Sequence, residues 1–412
     1  MSKSSDPHHF FQTSHSLAET SRKALKSKNR HGSPIRLHSK ILAVISHPAD
    51  EGAVYVAESA GTARRVVLQV GEITFTPVNT HVVPKLSNRK TGESSHIYHG
   101  PTTPLTSLAL STTSGNDSIF AGSWDKSIWS WNRTTRAPQR RYRGHSDFVK
   151  ALLCIRVNGA DVLISGSADA SIILWDIGTG VKLHTLKGGH TRGILDLAVD
   201  PTTYPSSPLS EHEGSSITLF SAGSDREIRR WCISDDLSTA DEIETDKPVL
   251  QHETSVYRLH FDADGDLWTA SADGSVKCLS RERGWQADTT LVHGDYVRAV
   301  AVDERGGWVV SAGRDEDVKV WDKASGKLHH TFSGHFEEIT GMLLTGQTVV
   351  TVSIDATIRQ WSLEAEDLGK ATREAEEARN GVEQEQEEKG AQKMMTDDEE
   401  RELAELMGSD GE

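Results

Sequence analysis

The sequence has no long apolar run, only three cysteines and only 12 prolines among 412 residues. Its apolar stretches are shorter than ten residues, whereas a membrane-spanning helix needs about 20. The first six residues are polar, which does not fit a secretory signal peptide. Cys154, Cys232 and Cys278 show no CxxC or CxxH spacing, so we expect reduced thiols in the core. These absences predict an intracellular protein of the nucleus or the cytoplasm with no membrane segment.

The sequence also lacks the patterns of common catalytic sites. It contains no glycine-rich phosphate loop, no HExxH pair and no nucleophile elbow. We therefore expect a protein that is not an enzyme, with no catalytic, cofactor-binding or metal-binding residues and no small-molecule substrate.

The stretch from Ser165 to Asp176, SGSADASIILWD, is one of six similar segments. An apolar run ends at Ile164, a small polar corner follows, and a second apolar run begins at Ile172, which predicts two strands joined by a tight turn. Each segment has an aspartate at the same place in its turn: Asp125, Asp169, Asp225, Asp273, Asp315 and Asp355. Six residues after these aspartates stand Trp131, Trp175, Trp231, Leu279, Trp321 and Trp361.

A histidine lies 20 to 35 residues before most of these aspartates. The pattern resembles the WD-repeat β-propeller family, in which a buried network of aspartate, histidine, serine or threonine, and tryptophan holds each blade together. Four units carry the full set: His145, Ser165, Asp169 and Trp175; His190, Ser221, Asp225 and Trp231; His293, Ser311, Asp315 and Trp321; His335, Thr351, Asp355 and Trp361.

The chemistry of these four residue types favours a structural role. A tight turn that points a carboxylate inward must supply donors, which an imidazole N–H and a hydroxyl can do. The tryptophan can then donate its indole N–H to the hydroxyl. Such charge-assisted hydrogen bonds contribute roughly 1.5–3 kcal/mol. A catalytic triad is needed once and not four times, so we predict that the sets stabilise the fold.

The resemblance implies an all-β fold, a seven-bladed propeller over residues 33–363. A disordered basic arm (1–32) would precede it, and an acidic, partly helical tail (364–412) would follow it. The strand at 33–37 is expected to complete blade 7 and so to close the ring, because an open sheet edge invites aggregation. The predicted blades cover residues 37–98, 101–142, 145–186, 190–250, 252–291, 293–332, and 335–363 plus 33–37.

Two blades depart from the pattern. In blade 1, Ala57, Gly61 and Val67 stand at the places of the serine, aspartate and tryptophan, so we predict a blade held by apolar packing alone. In blade 2, Pro101 stands where the histidine is expected, so Asp125 is predicted to have a surface role or to contact a water instead of an imidazole.

The segments outside the regular units allow more than one interpretation of their role. Residues 71–95 and 201–214 are predicted to be projecting loops. The arm contains a basic cluster that fits a nuclear localisation signal, a phosphate-contacting arm or a solvated tail: Arg22, Lys23, Lys26, Lys28 and Arg30.

The tail holds most of the negative charge. It has 18 acidic and 6 basic residues, so the other 363 residues carry only −3 of the net −15. Thr396 and Glu399 form a capping box, and the helix that follows would have Leu403, Leu406 and Met407 on one face. This helix is expected to dock on the propeller or on a partner, unless the tail is simply solvated.

The resemblance also implies a binding face. By the family's register, the residue before each turn aspartate and those three and five after each histidine line the face used for partners. Aromatic and arginine side chains, typical of interface hot spots, stand at several of these positions. The candidate partner face consists of Trp124, Phe148, Lys150, Tyr257, Tyr296, Arg298 and Arg314. A partner with acidic and apolar side chains would suit it, although each residue could equally pack between blades.

Two functions follow. The first is a non-catalytic scaffold that recruits protein partners, through this face and through the tail helix, to an intracellular assembly. The second is a component of a ribonucleoprotein or chromatin complex that contacts nucleic acid through the basic arm. The near-neutral charge of the propeller disfavours the second.

Overall fold

The computed structural model describes residues 20–377 except residues 25, 49, 69–93, 114–115 and 205–215. The chain divides into two compact units, Met1–Trp361 and Ser362–Glu412. In the first unit, residues 20–24 and 26 are helical and the strands follow; in the second, the described residues are helical from 365 to 377. Neither of these helical segments is long and apolar enough to cross a membrane.

The first unit contains seven antiparallel four-stranded sheets, which we call blades 1 to 7. The first strand of the chain, β1 (Ile35–Arg36), precedes blade 1. Blade 1 contains β2 (Ile41–Ser46), β3 (Ala53–Glu58), β4 (Thr62–Val67) and β5 (Ser94–His99); blade 2 contains β6 (Leu105–Thr113), β7 (Asn116–Ser123), β8 (Ser127–Asn132) and β9 (Pro138–Arg143); blade 3 contains β10 (Val149–Val157), β11 (Ala160–Ser167), β12 (Ile172–Asp176) and β13 (Lys182–Leu186).

The remaining blades follow the same order along the chain. Blade 4 contains β14 (Ile194–Val199), β15 (Ile217–Gly223), β16 (Ile228–Ile233) and β17 (Ala240–Ile243); blade 5 contains β18 (Val256–Phe261), β19 (Leu267–Ser271), β20 (Ser275–Ser280) and β21 (Gln286–Val292); blade 6 contains β22 (Val297–Asp303), β23 (Trp308–Gly313), β24 (Asp317–Asp322) and β25 (Leu328–Ser333); blade 7 contains β26 (Ile339–Thr345), β27 (Thr348–Ser353), β28 (Thr357–Ser362) and β1.

The ring closes through both ends of the first unit. β1 pairs with β28, with Ile35 opposite Ile358 and Arg36 opposite Thr357. The first strand of each blade packs against the first strand of the next, and β26 of blade 7 packs against β2 of blade 1. The predicted seven-bladed propeller, closed by an N-terminal strand, is therefore confirmed.

The core lies mainly between neighbouring blades. Ile164 and Leu174 of blade 3, for example, belong to one buried cluster with Leu197 and Trp231 of blade 4. Strands buried on both faces explain why the sequence shows short continuous apolar runs rather than a simple alternation.

The strand pairing corrects the prediction for blade 1. Ala57 lies opposite Ala63 in blade 1, and the corresponding pair in blade 5 is Ala270 and Val276. The predicted alignment was therefore one residue too late, because Gly61 corresponds to Gly274, the residue after the turn aspartate. Gly61 and Gly274 both have positive φ, 79° and 80°, which glycine adopts without steric cost.

Blade 1 also contains a buried ion pair, so the expectation of purely apolar packing was wrong. Glu58 is fully buried. It accepts a hydrogen bond from Arg64 Nε at 2.9 Å and another from the Thr62 hydroxyl. An uncompensated carboxylate at this depth would be costly, so these donors offset its desolvation.

The prediction of a disordered arm is corrected for residues 20–32. The described residues of this segment contain a helical turn and make hydrogen bonds with blades 6 and 7. Other predictions fall outside the described residues: the arm from 1 to 19, most of the loops at 71–95 and 201–214, and the tail helix with Leu403, Leu406 and Met407.

Candidate partner-binding face

In blade 3, a chain of hydrogen bonds links the strands to the turn. Trp175 Nε1 donates to Ser165 Oγ at 2.9 Å, and this oxygen lies 2.8 Å from His145 Nε2. His145 Nδ1 lies 3.1 Å from Asp169 Oδ2. The hydroxyl that bonds directly to the carboxylate belongs to Ser171, a residue that the sequence analysis did not assign.

The other complete sets form the same chain. In blades 4, 6 and 7, each contact between tryptophan and hydroxyl, hydroxyl and histidine, and histidine and aspartate measures 2.8 to 3.0 Å. In blade 6 the imidazole is turned over, so that Nδ1 of His293 faces Ser311 and Nε2 faces Asp315. Either ring nitrogen can form a hydrogen bond with the hydroxyl or with the carboxylate, so the series of contacts from tryptophan to aspartate is preserved.

In blade 3, the hydrogen bonds favour the ionised form of Asp169, and burial favours the neutral form of His145. Burial alone would raise the pKa of Asp169, but hydrogen bonds from Ser171 and from the Ser146 backbone, with the nearby His145, lower it to about 2. Burial lowers the pKa of His145, and the Asp169 charge only partly opposes this effect. The ionised carboxylate thus holds the turn through hydrogen bonds, which agrees with a structural role.

Blades 2 and 5 replace the missing partners in different ways. In blade 2, Asp125 accepts hydrogen bonds from Trp129 Nε1 at 2.9 Å and Arg141 at 2.8 Å. Trp129 and Arg141 thus bond to Asp125 where the sequence lacks the histidine. In blade 5, His252 contacts Thr269 at 2.7 Å and Asp273 at 2.8 Å, without a tryptophan.

The first strand of every blade is interrupted by a bulge near its start, and this places one extra residue there. Bulges re-aim side chains and often lie next to functional sites. The seven bulge residues are Leu42, Thr106, Lys150, Leu195, Tyr257, Arg298 and Thr340. All seven line one cavity of about 750 Å³, which is bordered by the first strands of all seven blades and is therefore the central channel.

The bulge residues of blades 3, 5 and 6 give one side of this channel a cationic and aromatic character. The Arg298 guanidinium lies 4.0 Å from the centre of the Tyr257 ring and pairs with Glu338. Burial and the positive charge of Arg298 lower the pKa of Lys150. No hydrogen-bond or ion-pair partner of the Lys150 ammonium is found among the described residues.

Two further contacts of exposed side chains lie near the cationic side of the channel, one between two aromatic rings and one between an arginine and a tyrosine. Trp124, with 45% of its surface exposed, stacks on Phe148 with ring centres 5.1 Å apart. Tyr296, 41% exposed, lies beneath the Arg314 guanidinium at 5.0 Å. Tyr296 also borders a second cavity of about 620 Å³, which it shares with Tyr257.

All seven residues of the candidate partner face thus either line these two cavities or contact a residue that does. The sequence analysis missed Arg258 and Asp196, which also line the channel and lie 3.5 Å apart. Asp196 is hard to find from sequence because it stands outside the repeated pattern.

Two groups of side chains in the described residues have the composition of a metal site. They are His190, Asp225 and Glu227, and Asp262, Asp266 and Cys278. His190 and Asp225 bond to each other, and Glu227 pairs with Arg229. Asp262 accepts a hydrogen bond from Trp268 at 3.0 Å and lies 3.2 Å from the Lys323 ammonium. Both groups already serve the fold, so we assign neither to a metal.

Comparison with known proteins identifies the repeats. The family model for the WD domain, G-beta repeat, matches residues 92–132, 136–176, 246–279, 285–322 and 326–362. The propeller is similar to the crystal structure of the WD40 β-propeller domain of Doa1, with a TM-score of 0.60 and 19% identity over 82% of this chain and 98% of that domain.

Curated proteins are also similar to this chain. An uncharacterized WD repeat-containing protein of Schizosaccharomyces pombe is 29% identical over 88% of this chain and 90% of its own length. The chromatin assembly factor 1 subunit FAS2 homolog of Oryza sativa is 29% identical over 37% of this chain, and the chain spans only 33% of that protein. With its seven closed blades, repeated hydrogen-bond network and matched repeats, the chain belongs to the WD-repeat β-propeller family.

Proposed function

We propose that this protein is a non-catalytic scaffold whose candidate partner face binds a protein segment with acidic and apolar side chains. WD-repeat propellers are typical interaction scaffolds, which supports the general role. The residues of the channel mouth support the finer assignment.

The proposal rests mainly on the environment of the Lys150 ammonium. This ammonium is partly buried and lies near the positive charge of Arg298, and the nearby Asp147 carboxylate only partly offsets these two effects. No hydrogen bond or ion pair of this ammonium is found among the described residues. A carboxylate placed between Lys150 and Arg298 would offset both the repulsion and the desolvation. A partner's glutamate or aspartate would supply this group.

The exposed aromatic surface supports the apolar part of the proposal. Trp124 and Tyr296 remain partly exposed although each is already held by a neighbouring ring or guanidinium. Side chains that are ordered before binding lose little entropy when a partner covers them. Tryptophan, tyrosine and arginine are also the residues that most often dominate binding energy.

Quantitative affinity purification tests this assignment. The full chain would be compared with the variants Trp124→Ala and Lys150→Glu and with the control Lys327→Gln, whose exposed side chain lies outside the face. We expect one partner to be retained by the wild type and the control and to bind both face variants at least tenfold more weakly, which is about 1.4 kcal/mol. Thermal melting would verify that all variants fold.

The partner recovered in this way allows a direct check of the charge. Replacing its acidic residues with amides should weaken binding to the wild type but not to Lys150→Glu. Equal recovery by the face variants and the control would contradict the proposal.

The tail helix is a second proposed docking element. Leu403, Leu406 and Met407 form its predicted apolar face. The same purification from a chain lacking residues 364–412 would test it: loss of one specific partner supports docking, and an unchanged set of partners contradicts it. We also propose an intracellular location, in the nucleus or the cytoplasm.

Association with nucleic acid or chromatin is the alternative function. Its support is the basic arm and the name of the rice relative, a chromatin assembly factor subunit. Against it stands the low net charge of the propeller, since non-specific nucleic-acid binding depends on many cations. The contacts of the arm also weigh against it.

A further inference from the structure

The described part of the arm, residues 20–32, lies on blades 6 and 7. Asn29 Nδ2 donates to the Gly334 carbonyl at 2.9 Å, and the Arg359 guanidinium donates to Asn29 Oδ1 at 2.8 Å. The Gly32 carbonyl accepts a hydrogen bond from the Gln360 backbone at 2.8 Å. The segment is therefore anchored at its C-terminal end, just before β1 enters blade 7.

Three cations of the arm are used in ion pairs at its other end. Both terminal nitrogens of Arg22 donate to Glu316, at 2.7 and 2.8 Å, and the Lys26 ammonium lies 2.8 Å from the same carboxylate. Lys23 donates to Glu337 at 3.0 Å. A bidentate guanidinium–carboxylate pair is among the stronger and more specific polar contacts.

The fold places the Glu316 carboxylate where it pairs with two of these cations, Arg22 and Lys26. Glu316 follows the turn aspartate of blade 6, and its side chain is only 7% exposed. Burial would raise its pKa, but the hydrogen bonds from Arg22 and Lys26 lower it. Without the arm, this carboxylate would lose the two cations that offset its desolvation.

Arg359 adds a second specific feature. It is fully buried in β28, and its terminal nitrogen donates to Asn29 and to the His31 carbonyl. A buried guanidinium needs acceptors, and the arm supplies two for Nη1, whereas Nε and Nη2 have no partner among the described residues. The arm therefore pairs with a buried anion of the propeller and bonds to one nitrogen of a buried cation.

We propose that Glu316, Glu337 and Arg359 form an arm-binding site for residues 20–32 of the same chain, and that its occupation withholds Arg22, Lys23 and Lys26 from nucleic acid. The basic cluster is then an intramolecular ligand, and it contacts a polyanion only after release from blades 6 and 7. Lys28 and Arg30 are exposed in the bound state, as is about half of the Arg22 side chain.

A double substitution releases the arm without changing its own charge. Glu316→Gln with Glu337→Gln removes the negative charges that pair with Arg22, Lys23 and Lys26. The matched control is Glu51→Gln with Glu282→Gln, which changes the net charge equally at two exposed positions away from the arm. Full-length proteins would be titrated with single-stranded oligothymidylate at several salt concentrations, and hydrogen exchange would be followed at residues 20–32.

The salt dependence gives the expected size of the effect. Each phosphate contact on a single strand contributes about −0.7 to the slope of log K against log salt. Three released cations should therefore steepen the slope by about 2 relative to wild type. The control should keep the wild-type slope, and exchange at residues 20–32 should rise at least tenfold only in the Glu316 and Glu337 variant.

A third set of substitutions shows which cations act. Adding Arg22→Gln, Lys23→Gln and Lys26→Gln to the releasing variant should abolish the steeper slope. The inference is overturned if the releasing variant has the same slope as the control, if it does not bind the oligonucleotide, or if exchange at residues 20–32 is unchanged. A rise in exchange throughout the propeller, showing general unfolding, would also count against a separate arm-binding site. Because none of the substituted residues belongs to the candidate partner face, failure of this inference would leave the proposed scaffold function untouched.

Discussion

Replacing Asp169 with asparagine removes the charge from the blade 3 network while nearly preserving the volume of the side chain. The pKa of Asp169 is lowered to about 2, whereas an unfolded aspartate titrates near 3.9. A difference of about two pH units corresponds to about 2.6 kcal/mol in favour of the folded state at pH 7. Because the Asp169 side chain is only 11% exposed, solvent screening should reduce this value little. We expect Asp169→Asn to lower the free energy of unfolding by about 2–3 kcal/mol.

The lowered pKa of Asp169 also makes its contribution to the free energy of unfolding depend on pH. A group whose pKa is lower in the folded state stabilises the protein above the unfolded pKa and loses this contribution as the pH falls through the folded pKa. At pH 3 the Asp169 charge should contribute about 1.3 kcal/mol, half of its value at pH 7. The difference in unfolding free energy between wild type and Asp169→Asn should therefore shrink by about half between pH 7 and pH 3.

Asp236 provides the matched control. Hydrogen bonds from Ser234 and Ser238 also lower the pKa of Asp236 to about 2, but its side chain is exposed. Solvent screens such an exposed charge, so Asp236→Asn should cost much less than Asp169→Asn. Urea denaturation followed by tryptophan fluorescence would measure both variants, with equal m-values as the condition for comparison. Equal losses for the two variants, or a loss for Asp169→Asn that does not change with pH, would refute the reasoning.

Two further perturbations test the packing of blades 6 and 7. A methyl group on Gly313 would lie 1.8 Å from the Tyr296 carbonyl oxygen. Gly313→Ala should therefore lower the free energy of unfolding in urea by more than about 2 kcal/mol. An unchanged urea midpoint would contradict this close approach. Burial lowers the pKa of His335, so the unfolded state takes up a proton first as the pH falls below about 6.5. The free energy of unfolding in urea should therefore fall between pH 7 and pH 5.5, by at most about 1.4 kcal/mol per pH unit for this histidine. Substituting glutamine for His335 should remove that part of the pH dependence, and an unaltered pH dependence in the variant would contradict the prediction.

The repeated residues made most of the fold predictable. The spacing from aspartate to tryptophan marks the same turn and strand in each unit, because residues on one hairpin keep a fixed register. Blade 1 lacks both markers, and there the predicted alignment was one residue too late. Only the pairing of Ala57 with Ala63 places Gly61 after the turn position. A register set by strand pairing alone leaves little trace in the sequence.

The polar contacts between distant parts of the chain were much less predictable. Arg141 replaces a histidine beside Asp125 from a different strand of the same blade, and Arg22 reaches Glu316 across 294 residues. No local sequence pattern predicts such pairs, because the partners become neighbours only when the sheet forms or the ring closes. The candidate partner face was read from the family's register, but the bulges that turn Lys150 and Arg298 toward the channel appear only in the strand pairing.

By itself, the sequence determined the kind of blade, the number of its copies and the hydrogen-bonding residues that each copy carries, because these depend on contacts within one hairpin or one sheet. The tertiary structure decided which charges face each other: Lys150 with Arg298 at the channel, and the basic arm with Glu316 and Glu337. The reason is that closing the ring brings together residues from separate blades, and the field at each charge depends on all of its neighbours in space.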